Sequence, residues 1–254
     1  MRVVCEARSD VGRKRKGNED SLFLNPEQKL YVVADGMGGH AAGEVASRVA
    51  VDAINELVTM TGSDEEITWP FGLDESLSLE GNRLKSAILH ANRRVLEATR
   101  ESAEYEGMAT TVAAVLVDGE TAHLAHVGDS RIYLWSGGEI AQLTNDHSWV
   151  NEQIRSGVIS AEQARSHPLR NVVTRALGGR SDLTVDVQHR RMRPGDVLLL
   201  CSDGLTTMIC DDDIARILDE AEGDVGRAAT ALVDQANERG GEDNITVVLL
   251  KFEE

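Results

Sequence analysis

Five aspartates of this 254-residue chain, Asp20, Asp35, Asp129, Asp203 and Asp243, stand at the tips of segments that read as β-strands, and four of them lie within two residues of a glycine. If those strands share sheets, acids remote in sequence gather at one edge. Five carboxylates cannot crowd together ionised unless cations separate them. The set is all oxygen, with no accompanying His or Cys cluster, and so favours hard Mg²⁺ or Mn²⁺ over Zn²⁺. Two such ions about 3.5 to 4 Å apart bind a bridging water, lower its pKa and aim hydroxide at phosphorus. Upstream, Arg13-Lys14-Arg15-Lys16 ends abruptly in Gly17-Asn18-Glu19-Asp20. Arg13, Lys14 and Lys16 read as a solvated charged turn. Arg15 is set apart: if Glu19 and Asp20 face a metal, its guanidinium fork reaches over the site and suits phosphate oxygens.

The elements that must position these groups centre on Tyr31 to His40. A β-branched apolar strand, Leu30 to Ala34, runs into Asp35 and then into Gly36, Gly38 and Gly39. An amphipathic helix is expected from about Ala41, with rows Val45, Val49, Ala53, Leu57 and Ala46, Ala50, Ile54, Val58 facing inward. Asp35 is thereby held between two buried elements, where an unpaired charge costs several kcal/mol, roughly, and a nearby cation is the simplest remedy. Residues 59–82, polar and acidic around Trp69-Pro70-Phe71, read as an irregular surface insertion, and a second helix is expected over Leu84 to Thr99. Strands at Thr110–Val117, Thr121–Val127, Ile132–Trp135 and Ile140–Leu143 suggest one antiparallel meander. The polar stretch 145–179, with Arg165, Arg170 and Arg175, reads as helical pieces with a solvated face, or else as a flap that touches substrate. Strands Leu183–Gln188 and Val197–Ser202, helices Asp211–Glu220 and Val225–Glu238, and a last strand Ile245–Phe252 complete the chain.

No linker-like break divides the chain, so a single domain over 1–254 is expected. With 43 acidic against 26 basic residues the formal net charge is −17, which argues against nucleic acid or an anionic membrane as partner. Cys5, Cys201 and Cys210 are an odd number without C-x-x-C spacing, so neither a disulfide framework nor a zinc knuckle is indicated. No apolar signal core or membrane span is visible, and the expectation is a cytoplasmic, monomeric protein. Gly36-x-Gly38-x-x-Ala41 formally fits a dinucleotide fingerprint, but Asp35 would repel pyrophosphate. Cys210 and Arg216 have the spacing of a cysteine-dependent phosphatase, yet Asp211-Asp212-Asp213 between them would repel phosphate and raise the thiol pKa.

Taken in order, Gly12 to Asp20 with Arg15 inside it, Asp35-Gly36-Met37-Gly38-Gly39-His40, Thr110-Thr111, Gly128-Asp129-Ser130-Arg131, Ser202-Asp203-Gly204-Leu205 and Asp243-Asn244-Ile245-Thr246 cover nearly the whole chain. In these motifs it resembles the metal-dependent Ser/Thr protein phosphatases, the PPM or type 2C family, in its bacterial stand-alone form. The resemblance implies a four-layer αββα sandwich of two antiparallel sheets, with 145–180 as its flap. It implies that Asp35 bridges two Mn²⁺ or Mg²⁺ ions, that the Gly36 carbonyl completes one and that Asp203 and Asp243 hold the other. Asp129 with Asp203 would make a weaker third site, and Glu19 and Asp20 would act through bound waters, Asp20 orienting the nucleophile. Arg15 would grip the substrate phosphate. The partners implied are phosphorylated proteins and an opposing Ser/Thr kinase.

Two positions depart from the family pattern. Ala109 stands where a glycine often precedes the Thr pair. Met37 stands where relatives outside bacteria carry a histidine proposed as general acid, which leaves His40 or water for that role. The alternatives to turnover on phosphoproteins are a pseudophosphatase that docks them without hydrolysis, and a two-metal phosphodiesterase, which normally uses some His ligands.

Overall fold

The computed structural model describes residues 1–39, 42–62, 69 and 71–254, with Arg165 described in its backbone alone. The strands are β1 (Arg2–Asp10), β2 (Asp20–Asn25), β3 (Leu30–Met37), β4 (Ala109–Thr110), β5 (Val112–Asp118), β6 (Thr121–Val127), β7 (Arg131–Ser136), β8 (Glu139–Gln142), β9 (Asp186–Arg191), β10 (Val197–Cys201) and β11 (Ile245–Glu253). The helices are α1 (Ala42–Gly62), α2 (Leu79–Ala98), α3 (Trp149–Arg155), α4 (Ala161–Arg165), α5 (Asp203–Thr206), α6 (Asp211–Glu220) and α7 (Val225–Glu238). One sheet has the order β1-β11-β10-β7-β8; the other runs β2-β3-β5-β6-β9, with β4 paired to β3. All the strand pairings are antiparallel.

Strand alternation builds the layers. On β3, Tyr31 and Val33 point into the space between the sheets, against Ile132, Leu198, Leu200, Val248, Leu250 and Phe252. Leu30, Val32 and Ala34 point the other way, onto the alanine-rich inner face of α1 and onto Leu84, Ile88 and Val95 of α2. Across the sandwich, Leu199, Cys201, Val247 and Leu249 face α6 and α7 through Ile214, Ile217, Leu218, Leu232 and Val233. A strand covered on both faces reads as an unbroken apolar run, which is why β3 and β11 carry so little polar alternation. The expected α+β sandwich of four layers is the observed architecture.

Several local expectations need correction. The four-strand meander is split: β5 and β6 lie in one sheet and β7 and β8 in the other, so Gly128-Asp129-Ser130 is a crossing between sheets rather than a hairpin turn. The strand expected at Leu183–Gln188 is observed at Asp186–Arg191. As a sheet edge paired only to β6, it tolerates His189, Arg190 and Arg191, and its apolar signal is weak. The 59–82 segment is not wholly irregular, because α1 continues to Gly62 and α2 starts at Leu79 under a Ser78 cap that accepts from Gly81 N at 3.1 Å. Its approach to α2 is folded by Asn82, whose Oδ1 accepts from Asp74 N at 2.7 Å while Nδ2 donates to Asp74 O at 2.9 Å. The Trp69-Pro70-Phe71 reading falls partly outside the described residues, and Phe71 is exposed.

Candidate active site and metal centre

In an antiparallel sheet, strands that start at one end lie beside strands that finish there. Asp20 opens β2, Asp35 sits near the close of β3, Asp129 follows the end of β6, Asp203 follows the end of β10 and Asp243 precedes the start of β11. The registers place Asp20 directly opposite Asp35 and Cys201 opposite Val247, so all five acids share one end of the sandwich, contributed by both sheets. A close backbone approach tightens this end within each half of the sandwich. A Cβ on Gly36 would fall 2.0 Å from Gly43 O in the first turn of α1, and one on Gly204 would fall 1.9 Å from Asn244 O. Only glycine fits at either position.

Hydroxyl and amide side chains hold the acids in place. Ser202 Oγ donates to Asp20 Oδ2 at 2.8 Å and accepts from Thr246 N at 3.0 Å. Asp35 N donates to Thr111 Oγ1 at 3.1 Å, and its carbonyl accepts from Thr111 N at 2.9 Å and from Thr110 Oγ1 at 2.9 Å. Thr111 Oγ1 is 2.6 Å from Ser130 Oγ, which ties β5 to the crossing that carries Asp129. Glu19 N donates to Asn244 Oδ1 at 2.8 Å, while Glu19 O accepts from Gly36 N at 3.1 Å and Ser47 Oγ at 2.7 Å. Arg15 reaches the predicted group of acids: its Nη2 lies 2.7 Å from Asp243 Oδ2.

The electrostatics are those of a site waiting for positive charge. Burial pushes Asp20 up to about 7 against hydrogen bonds from Thr246 and Ser202, and Asp203 and Asp243 push it further up. Burial does the same to Asp129, also to about 7, aided by Asp203 and Asp146. Asp35 is held well above the usual carboxylate range by burial first and then by Asp20, Asp203, Asp129 and Asp243. Asp203 is raised by burial and by Asp243, and Glu19 is raised chiefly by burial, with Arg15 opposing. Asp20 Oδ1 is buried with no hydrogen-bond partner among the described residues, an unmet acceptor. Oxygen donors, raised carboxyl groups and an orphaned acceptor together fit hard divalent ions.

One cluster was invisible in the sequence. His126 and His147 stack with ring centroids 4.6 Å apart, and His147 Nε2 lies 3.3 Å from Asp186 Oδ2. Among the described residues this is the one trio of His, Cys or acid groups whose ligand atoms lie within 4.8 Å of one another; the five aspartates are looser. It is nevertheless poor metal geometry. His147 Nδ1 accepts from Gly128 N at 3.1 Å, so its proton sits on Nε2 and points at Asp186, and nearly parallel rings cannot aim their lone pairs at one ion. Looser carboxylates suit Mg²⁺ or Mn²⁺, which keep several waters. The other residues that sequence reading left without a role are Ser202, Thr246, Thr111 and Asn244. Each lies inside a recognised motif, Ser202 and Asn244 directly beside an acid, and that membership was the available signal.

The stretch 145–179 is a lobe rooted at both ends. His147 N donates to Gly128 O at 2.9 Å, Thr174 N to His147 O at 2.8 Å, and Gly178 N to Asn92 Oδ1 at 2.8 Å. Between this lobe and α5–α6 opens a cleft of about 920 Å³ that reaches Asp129 and Asp203 and is lined by Arg170, Asp211 and Asp212. Arg175 is not in the cleft lining but is paired to Asp186 at 2.7 Å. His40 lies outside the described residues. Cys210 Sγ donates to Asp213 Oδ2 at 3.0 Å, which is the acidic surrounding that argued against a thiol nucleophile.

The molecule is thus an αββα sandwich whose buried acids, drawn from both sheets, gather at one end beside a cleft. Comparison with known proteins gives the family. The family model described as Protein phosphatase 2C matches residues 13–239. The chain is 38% identical to the serine/threonine phosphatase stp of Listeria monocytogenes, over 97% of this chain and 95% of that one. It is 39% identical to the serine/threonine protein phosphatase PstP of Mycobacterium tuberculosis, over 96% of this chain and 44% of the longer relative. The crystal structure of that phosphatase superposes with a TM-score of 0.87 at 37% identity, covering all of both chains. The PstP catalytic domain in complex with two manganese ions superposes at 0.83 with 35% identity, covering 99% of each chain. This chain therefore belongs to the protein phosphatase 2C family. The reading as a non-hydrolysing pseudophosphatase is set aside.

Proposed function

We propose that this protein hydrolyses phosphoserine and phosphothreonine esters on proteins. The observation that carries the reading is the buried acid group at the sandwich end, with Asp20 Oδ1 left without a partner among the described residues. In this reading Asp35 and the carbonyl of Gly36 hold one ion, Asp35 with Asp203 and Asp243 the other, and Asp129 with Asp203 a weaker third. When bound, the ions supply Lewis acidity toward the phosphoryl group and a nucleophile at neutral pH. Asp20 uses its free oxygen to orient the attacking water, while Ser202 and Thr246 fix its other contacts. Glu19 is placed by Asn244 and Ser47 to act through the outer shell. Arg15 leaves a solvent-exposed pair with Asp243 to hold the substrate phosphate.

Residues 1–254 act in this reading as one catalytic domain, monomeric, in the cytoplasm, and opposed by a Ser/Thr kinase. No helix among the described residues is long and apolar enough to cross a membrane. The test is release of phosphate from phosphoserine and phosphothreonine peptides with Mn²⁺, with and without chelator. Turnover that survives chelation, or that is confined to phosphodiesters, contradicts the assignment.

A further inference from the structure

The basic turn before Asp20 has more in it than Arg15. Arg13, Lys14, Arg15 and Lys16 are consecutive and exposed in a chain of net charge −17. Arg15 is paired with Asp243, but neither Lys14 nor Lys16 has an ion pair or side-chain hydrogen bond among the described residues. A solvated charged turn would need no particular scaffold. This one is clasped: Arg13 N and Lys14 N both donate to Gly241 O, at 2.7 and 3.2 Å. Asn244 Nδ2 donates to Val11 O and to Gly17 O, each at 2.9 Å, and so pins both ends of the turn with one side chain. Asn244 follows Asp243 directly, so the cations are fixed to the same backbone that presents a proposed metal ligand.

We infer that the Arg13–Lys16 turn is a recognition rim for anionic groups next to the scissile phosphoester, carboxylates or a second phosphate on the substrate. The inference rests on the phosphatase reading above. The rim offsets, at the point of docking, the repulsion between a strongly acidic protein and a phosphorylated segment. Its pre-fixed backbone lowers the ordering cost of binding. The cleft beyond Asp203 mixes signs, Asp211 and Asp212 with Arg170 and Arg239, whereas the Arg13–Lys16 turn presents cations alone.

The experiment compares phosphopeptides that differ only in flanking residues: glutamates, a second phosphoserine, alanines, or lysines. kcat/KM is measured with Mn²⁺ for the wild-type chain and for the Lys14→Glu/Lys16→Glu and Lys14→Ala/Lys16→Ala variants. p-Nitrophenyl phosphate, which has no flank, supplies the rate to which each variant is normalised and shows whether its fold and metal centre survive. Wild-type protein should prefer the glutamate-flanked or doubly phosphorylated peptide over the alanine one by roughly three- to tenfold, the scale of two exposed ion pairs. The preference should fall in 0.5 M salt, vanish in the alanine variant and reverse in the glutamate variant. A gain confined to the doubly phosphorylated peptide assigns the rim to phosphate; a gain shared with glutamate assigns it to anions in general. No flank dependence in the wild type, or a preference that persists in both variants, overturns the inference. Failure on every substrate including p-nitrophenyl phosphate would instead count against the phosphatase reading itself.

Discussion

Two buried polar clusters lie at opposite roots of the Gly128-Asp129-Ser130 crossing, and they are built on opposite principles. Around His126 and His147 most polar atoms are answered: His126 Nε2 is 2.9 Å from Asn145 O, His147 Nδ1 accepts a hydrogen bond from Gly128 N while its Nε2 faces Asp186, and Arg175 neutralises Asp186 at 2.7 Å. Around Asp35 and Asp20 the acids face one another, and Asp20 Oδ1 has no partner among the described residues. A buried cluster with its hydrogen bonds satisfied rigidifies a fold, and here it anchors the 145–179 lobe to two strands. A buried cluster of like charge left unsatisfied stores a demand for cations. In the proposed function the second is the working site, although the first has the tighter arrangement of potential ligands.

The contrast is broken most directly by Asp35→Asn or Asp203→Asn. Either change should lower kcat by about a hundredfold or more through loss of a ligand, since disturbing even the outer shell of a metal site costs roughly ten- to a hundredfold. The same variants should raise the melting temperature of chelator-treated protein by a few degrees, because they remove one of several facing charges. A metal-free protein destabilised by these changes would show that the acids are a satisfied structural network after all. Arg15→Ala should raise KM for phosphopeptides by about tenfold, the loss of one charge-assisted contact of roughly 1.5 kcal/mol, with little change in melting temperature. Its pair with Asp243 is solvent-exposed and stabilises the fold little.

The pH dependence of stability should have opposite sign in the two clusters. Asp20 and Asp129 are pushed up to about 7 in the folded chain, from 3.8. Their contribution is therefore present at acid pH and lost as pH rises from about 4 through 7, so the stabilisation gained from added Mn²⁺, read as a melting shift, should grow between pH 6 and 8. His147 is pushed down to about 4, chiefly by burial and then by His126 and Arg175. Its contribution is present above about 6.5 and lost as pH falls toward 4. His147→Ala, which leaves Gly128 N without its acceptor, should cost about 1–3 kcal/mol by chemical denaturation and remove that acid limb. An acid limb that persists in the variant would assign it to other groups.

Local grammar carried much of this in the sequence. The bounds of β6, α6 and α7 are legible because apolar period and punctuation are local signals, and each of the five aspartates sits beside a strand end that the sequence marks. Donor chemistry alone pointed to a hard divalent ion, the kind of ion that the PstP catalytic domain holds. Less visible was any feature that needed a partner far along the chain. Arg15 was flagged for phosphate, yet its contact with Asp243 spans 228 residues. Asn244 was read as part of a motif, while its clasp on Val11 and Gly17 appears only when β11 lies beside β1.

By itself, then, the sequence determined which acids stand at strand ends, the bounds of β6, α6 and α7, and a net charge of −17. The tertiary structure alone decided that β7 and β8 leave the sheet of β5 and β6, that Asp20 stands opposite Asp35, and that Ser202, Thr246 and Thr111 become their supports. The reason is physical. Backbone propensity and side-chain period act over a few residues, whereas register and sheet membership are set by burying both faces of every central strand at once, a condition that no single segment encodes.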